Sequence, residues 1–473
     1  MKYLRKIGTK QEYNKEYFDG GLPFPHVCLV GDEVVYAEKF VSDTDERSYM
    51  YIEAIEDLQV SFSVNPIQYS IDSKTWVELP VNTLTPTINA GNKVYFKAND
   101  LTATSANGIG SFTITGKCNV GGNAMSMVYG DYFVGRYDLR QQYVLSKLFY
   151  AQSNIINANR LILPATDITG YCYSNMFYKC TGLVSAPNLT AKRTASNSYY
   201  YMFYGCTSLV TAPEISATYV ADNACSYMFY GCTSLVNTPK LPATYVGSYG
   251  YYYMFAQCTS IVDAPVLPAT TLHSYSYACM FYGCTSLTNA PTLPATTLGT
   301  YSYYYMFFGC VKLTNVQDEL PAKYLDNYCY SYMFYGCTSL VTAPELPAKT
   351  LAYNCYNYMF YGCSSLTTAP ELPATNLYSN CYSYMFHNCT SLVTAPILPA
   401  TTLASSCYSY MFTGCVNLNY IKMLATDITA SQCMLSWVSG VAPTGIFIKN
   451  PEATWDVSGT NGVPSGWIIQ TEQ

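Results

Sequence analysis

The residues in this sequence best placed for chemistry are thiols, and they stand in register. Cysteines recur at Cys180, Cys206, Cys232, Cys258, Cys284, Cys310, Cys337, Cys363, Cys389 and Cys415, 26 residues apart except for one step of 27. Thiols stacked in this way would bridge, bind metal, or fill a small apolar slot in reduced form. A second set, Cys172, Cys329, Cys355, Cys381 and Cys407, falls eight residues ahead of its partners in the first. On a helical turn that separation is roughly 12 Å, beyond disulfide reach, and seven intervening residues match no zinc spacing. The expectation is a first column of buried reduced thiols and a second set without zinc or disulfide, with no metal and no cofactor.

Other chemistry is sparser. His26, His273 and His387 lie far apart, no nucleophile pairs with a base, and neither a phosphate loop nor a dinucleotide fingerprint occurs. A non-enzymatic chain is expected. The position just before each Leu-Pro, or its equivalent, is the most variable in the repeat: Asn188, Glu214, Lys240, Val266, Thr292, Glu319, Glu345, Glu371, Ile397. Glu319, Glu345 and Glu371 would stand about 5 Å apart on adjacent strands, where like charges repel. Such a strip is either a solvated strand edge or a site for Ca²⁺ or a cationic partner. Carboxylates so spaced also suit a retaining glycosidase, but identical surroundings give no reason for one to be acid and another nucleophile. Tyrosine supplies the other candidates, with 50 copies in 473 residues. Tyr332, Tyr358, Tyr384 and Tyr410 each precede a Met-Phe pair and would form a row. That row is either a stacked outer wall or a binding surface, for which tyrosine offers contact area at low entropic cost.

A repeat must place all of these. Met176, Met202, Met228, Met254, Met280, Met306, Met333, Met359, Met385 and Met411 are each followed by Phe, with a first-column Cys four residues after the Met. A fixed period of this length marks a solenoid, whose coils bury apolar side chains by stacking on neighbours. Within Met385 to Met411, Leu392 to Leu398 is too short for a helix and stops at Pro399. It reads as one short strand paired in parallel with its equivalents, with Leu392, Ala395 and Leu398 pointing inward. Pro396 has no N–H for the ladder and is expected to break or bulge the strand. Thr401 to Tyr410 then returns across the outer side, where a short helical turn is expected, with Gly414 suited to ending it.

The pattern of Phe386, Cys389, Leu392 and Pro399 resembles the BspA-like leucine-rich repeats. The resemblance covers about residues 145 to 435 and recurs ten times, with Met in place of Ala and Pro inside the strand. It implies a leucine-rich-repeat solenoid of short parallel strands with short outer helical turns, used for surface attachment and partner binding, and no catalytic residues.

Residues 1–20 are polar and charged and read as an arm. Residues 21–128 read as a small all-β sandwich-like domain or barrel, with strands at Val27 to Val30, Glu33 to Phe40, Tyr49 to Ile55, Val60 to Val64, Lys93 to Ala98 and Phe112 to Thr115. Gly31-Asp32 signals a hairpin. Residues 129–170 form the expected N-terminal cap, Tyr129 to Ala151 being an imperfect first coil. Repeats fill 171–425, and 426–473 is the C-terminal cap, where Met434-Leu435 keeps a degenerate Met-Phe position. Trp437, Trp455 and Trp467 are either part of that lid or an exposed sugar platform.

A net charge of -6 with no basic cluster offers nothing to nucleic-acid phosphates, and no stretch approaches the roughly 20 apolar residues that cross a bilayer. The opening Met1-Lys2-Tyr3-Leu4-Arg5-Lys6 runs on without the apolar core of a secretory signal. Gly130-Asp131 after Met125 to Val128, Gly445-x-Phe447-x-Lys449, and Gly462-Val463-Pro464-x-Gly466-Trp467 make the arrangement similar to proteins of gut anaerobes and their phages. That likeness implies a virion appendage, such as a head or tail fibre-like protein, contacting a host cell-surface glycan or protein, with the N-terminal domain meeting other virion proteins. A bacterial cell-surface adhesin is the alternative, and a glycan depolymerase a third. No heptad enforces a trimer, so a homo-oligomer stays open.

Overall fold

A computed structural model describes residues 46–99, 108–139 and 141–472, with the strands Val27–Val30 (β1) and Glu33–Tyr36 (β2). β1 and β2 pair antiparallel, Val27 with Tyr36 through Val30 with Glu33. Residues 1–20, His26 and the Gly31-Asp32 turn lie outside the described residues.

From residue 46 onward the chain builds strands β3 (Met50–Ala54), β4 (Val60–Phe62), β5 (Ile67–Ser70), β6 (Val77–Leu79), β7 (Lys93–Ala98), β8 (Phe112–Ile114), β9 (Cys118–Asn123) and β10 (Ile155–Ile162). One sheet orders them β10-β9-β3-β7-β5-β6, while β4 pairs with β8, and no barrel closes among them. A near-buried Lys97 pins this sheet to the turn that follows it. Its ammonium lies 2.6 Å from Asp131, which also accepts the Tyr49 hydroxyl at 2.7 Å, and 4.4 Å from the Trp76 ring centroid.

The sheet does not stop at the solenoid. β9 pairs in parallel with β10, and β10 belongs to the first coil. Phe112 stacks on Phe149 at 5.5 Å, starting a column that continues through Phe177, Phe203 and Phe229. The division expected at 128/129 is therefore crossed by a continuous sheet and a continuous core. The first coil is complete, and β8 and β9 cover its open end.

The outer side of each coil corrects the expected helical turns: the α-helix among the described residues is Ser126–Tyr129 alone. In the coil around Met202, positive φ recurs every fourth residue, at Asn197, Tyr201 and Gly205. The N–H groups of Ser198, Tyr200, Met202, Tyr204 and Cys206 donate three residues back. Those between them, on Tyr199, Tyr201, Phe203 and Gly205, donate to Ala224, Ser226, Met228 and Tyr230 of the next coil. This is a run of tight turns, alternate ones carrying φ > 0 at the third position as type II turns require. Inward pairs follow the same four-residue rhythm: Ser198 and Tyr199, Met202 and Phe203, then Cys206.

The other side of the coil is crossed less regularly. Ser185 bridges Thr211, Thr211 bridges Asn237, and Asp263, Asn289 and Asn315 follow suit, each as an isolated bridge. Proline is the reason, since Pro187, Pro213 and Pro239 lack the N–H that would extend the ladder. In two of the coils where that first proline is missing strands lengthen, to eight residues in β10 and four in Tyr420–Met423, while the coil with Gln317 in its place keeps isolated bridges. Two further short strands, Tyr219–Val220 (β11) and Tyr245–Val246 (β12), precede this last one, β13. Leu392, Ala395 and Leu398 are buried as expected, and Ile397 is exposed.

At the far end Ile446–Lys449 (β14) and Ile468–Thr471 (β15) extend β13 in parallel. Trp437, not Met434, takes the Met position: its carbonyl accepts from Phe412 as that of Met411 accepts from Phe386. The three tryptophans serve the lid. Trp437 and Trp467 are buried, and the indole N–H groups of Trp437, Trp455 and Trp467 donate to the carbonyls of Gly462, Ala425 and Ala442. Trp455 is half-buried beside Phe447.

Candidate functional site

The thiol columns are structural. All nineteen cysteines among the described residues are free and buried. Each first-column thiol donates to the Phe carbonyl of the preceding coil, Cys206 to Phe177 and Cys232 to Phe203, both at 3.1 Å. That carbonyl already accepts an N–H from its own coil, so the thiol uses its second lone pair as a tie between coils. Burial pushes Cys180, Cys232, Cys284 and Cys363 up to about 12. They remain neutral thiols, poor nucleophiles and poor metal ligands at ordinary pH.

Glu319, Glu345 and Glu371 are all exposed, and Glu319 pairs in register with Glu345 on the next coil. They form a single file rather than a cage. Among the described residues no group of three or more His, Cys, Asp or Glu is placed to hold a metal ion. The variable row they belong to is exposed throughout, from Asn188 and Glu214 to Ile397.

Tyr332, Tyr358, Tyr384 and Tyr410 do form a row, with ring centroids 4.5, 4.3 and 4.5 Å apart and nearly parallel planes. All four are half-buried at φ near +57° to +59°, and the inner members of the row stack on both ring faces, as a stacked outer wall does. Burial first, then neighbouring phenols, raise Tyr332 and Tyr358 above the ordinary phenol range, leaving them as hydrogen-bond donors. A second row, Tyr335, Tyr361 and His387, stacks beside them at 4.5 Å per step. No hydrogen bond, ion pair or ring contact among the described residues joins the Tyr row to the Glu row. The two are separate faces.

A third tyrosine column went unread in the sequence. Tyr173, Tyr199, Tyr251, Tyr277, Tyr303, Tyr330, Tyr356, Tyr382 and Tyr408 are at most 1% exposed. Of these, Tyr173, Tyr251, Tyr277, Tyr303, Tyr330 and Tyr382 have hydroxyls without a hydrogen-bond partner. Their fixed place three residues before Met, on the inward pair of a four-residue rhythm, was the available signal. His273, the remaining histidine, lies 5.0 Å from the Tyr245 ring.

No helix among the described residues is long and apolar enough to cross a membrane. The BspA type leucine rich repeat region matches residues 146–278, 222–333 and 328–436, in six copies. Among solved structures, a leucine-rich repeat protein from Bacteroides ovatus is similar at 16% identity and a TM-score of 0.38, covering 70% of this chain and 87% of that one. Comparison with curated proteins finds no match.

Proposed function

Because the chain belongs to the BspA-type leucine-rich-repeat family, we propose that it is a non-enzymatic surface-binding protein whose repeats contact a host cell-surface glycan or protein. One contrast carries this reading. The buried columns of Met, Phe, Cys and Leu repeat almost without change, while the exposed row Asn188, Glu214, Lys240, Val266, Thr292, Glu319, Glu345, Glu371, Ile397 takes six residue types in nine coils. A scaffold that copies its core and varies one face is suited to recognition. The half-open Tyr332 to Tyr410 row adds aromatic contact area of the kind that dominates binding hot spots.

The finer reading is a phage virion appendage, attached to other virion proteins through the N-terminal strands. Nineteen free, buried cysteines support it, because thiols survive in a chain that folds in a reducing compartment and reaches the surface on an assembled particle. The second reading, a bacterial adhesin, draws on the same family and needs only a different route outward. Mass spectrometry of purified phage particles decides between them. Recovery with the particles is expected, and recovery from bacterial envelopes alone overturns the virion assignment. A glycan-release assay of the wild type against Glu345→Gln and Glu371→Gln is expected to show no release by any of the three.

A further inference from the structure

The join between the N-terminal sheet and the first coil holds a hollow. Across their pairing β10 carries more residues than β9: the register runs Ile155 with Cys118, Asn157 with Asn119, then Arg160 with Gly121. Each slip is a bulge, a device that ends pairing and re-aims side chains. Here the slips open a cavity of about 220 Å³ lined by Asn119, Val120, Asn157, Asn159 and Arg160. Sites for drug-sized ligands run to roughly 300–1,000 Å³, so this one has room for a single small ring.

The lining is already oriented. Asn119 Nδ2 donates to Glu53 at 3.1 Å, Asn157 Nδ2 to Asn119 Oδ1 at 3.0 Å, and Ser185 Oγ to Asn157 Oδ1 at 2.8 Å. Arg160 lies 3.8 Å from the same Glu53 carboxylate, which offsets its charge. Three planar amides and a guanidinium around a charge-balanced hollow suit a ligand whose groups both donate and accept, as sugar hydroxyls do. An isolated anion would lack the uncompensated positive charge it needs.

The same row continues outward. Ser185, Thr211 and Asn237 follow Asn157 on successive coils, each bridged to the last, at a strand spacing of about 4.8 Å. Beside them Val184, Val210 and Val236 form an exposed apolar row. An extended polysaccharide advances by a similar distance per residue and shows hydroxyl edges and apolar ring faces side by side. We infer that the hollow at Asn157 to Arg160 seats one sugar ring of an uncharged extended glycan, whose following residues lie along the Ser185, Thr211 and Asn237 row. This rests on the glycan half of the proposed function and places its ligand on the β9–β10 join instead of the tyrosine wall.

The test uses the full-length chain on an array of neutral and acidic oligosaccharides, beside the variants Asn159→Ala, Arg160→Gln and Tyr358→Ala. Asn159 and Arg160 are exposed, so urea midpoints matching wild type are expected and confirm folding. Neutral extended glycans should bind, with affinity falling about tenfold in Asn159→Ala and Arg160→Gln and by less than that in Tyr358→Ala. Loss in Tyr358→Ala alone moves the glycan to the tyrosine wall, overturning this inference while sparing glycan binding. Binding confined to acidic glycans overturns the uncharged ligand. Silence across the array removes glycan recognition altogether.

Discussion

In the coil around Met359, the turn wall sends every second N–H across to the next coil, from Asn354 to Gly362, while the proline side of the same coil is crossed by the Ser391 N–H donating to Ser364. The wall carries positive-φ strain at three positions, and the proline side carries none of them. Cohesion and display are thus divided. The strained, densely bonded wall holds coils together, which frees the loosely bonded side to vary at its exposed positions. The end coils support this division, because β10 and β13 regain continuous strands where they must join the N-terminal sheet and the lid.

The largest blow to the wall is removal of a core ring. Phe334, stacked at 5.5 and 5.6 Å between Phe307 and Phe360, should cost about 3–5 kcal/mol on substitution to Ala, read as a lowered urea midpoint. Next comes backbone strain by itself. At Gly362, φ is +70° and an added Cβ would meet only the Gly336 Cα at 3.9 Å, so Gly362→Ala should cost about 1–2 kcal/mol through conformation alone. On the other side Pro370→Ala restores an N–H to a ladder that does not depend on it. Its effect should stay under about 1 kcal/mol, and a larger loss would show that cohesion is shared equally between the two sides.

Smaller effects sharpen the same contrast. Tyr330 presents a fully buried hydroxyl with no partner, so Tyr330→Phe is expected to leave stability unchanged or raise it. A marked loss would mean that the hydroxyl is satisfied in solution. Burial also holds His387 below its ordinary imidazole value of 6.5. A base lowered by folding gives stability that is full above 6.5 and is lost as pH falls below it, since the unfolded chain then takes up the proton more readily. Thermal melts between pH 8 and pH 5 should show that slope, and His387→Tyr, which restores the residue usual in its row, should flatten it.

Much of the repeat was legible because stacking copies a residue type at one position. Phe386, Cys389 and Leu392 face inward where spacing put them. The wall was misread as helical because a four-residue rhythm lies close to the 3.6 of a helix. Its distinguishing mark was local: Asn197 with Gly205, Asn223 with Gly231, and Asn354 with Gly362 supply the residue types that tolerate positive φ at that interval. β9 was missed because Gly121-Gly122 reads as a breaker, whereas here Gly121 leaves room for the Tyr51 ring. Neither the hollow at Asn157 nor the replacement of Met by Trp437 could be read from periodicity, since each depends on a place where the copying ends.

The crossing of N–H groups from coil to coil has a mechanical consequence. Drawn from its two ends, the stack would unreel one coil at a time, each rupture breaking one set of crossings. The step from Met359 to Met385 holds 26 residues, so every coil released pays out roughly 90 Å of chain in exchange for about 5 Å of stack. A stack of this kind therefore lengthens many-fold before its last coil opens.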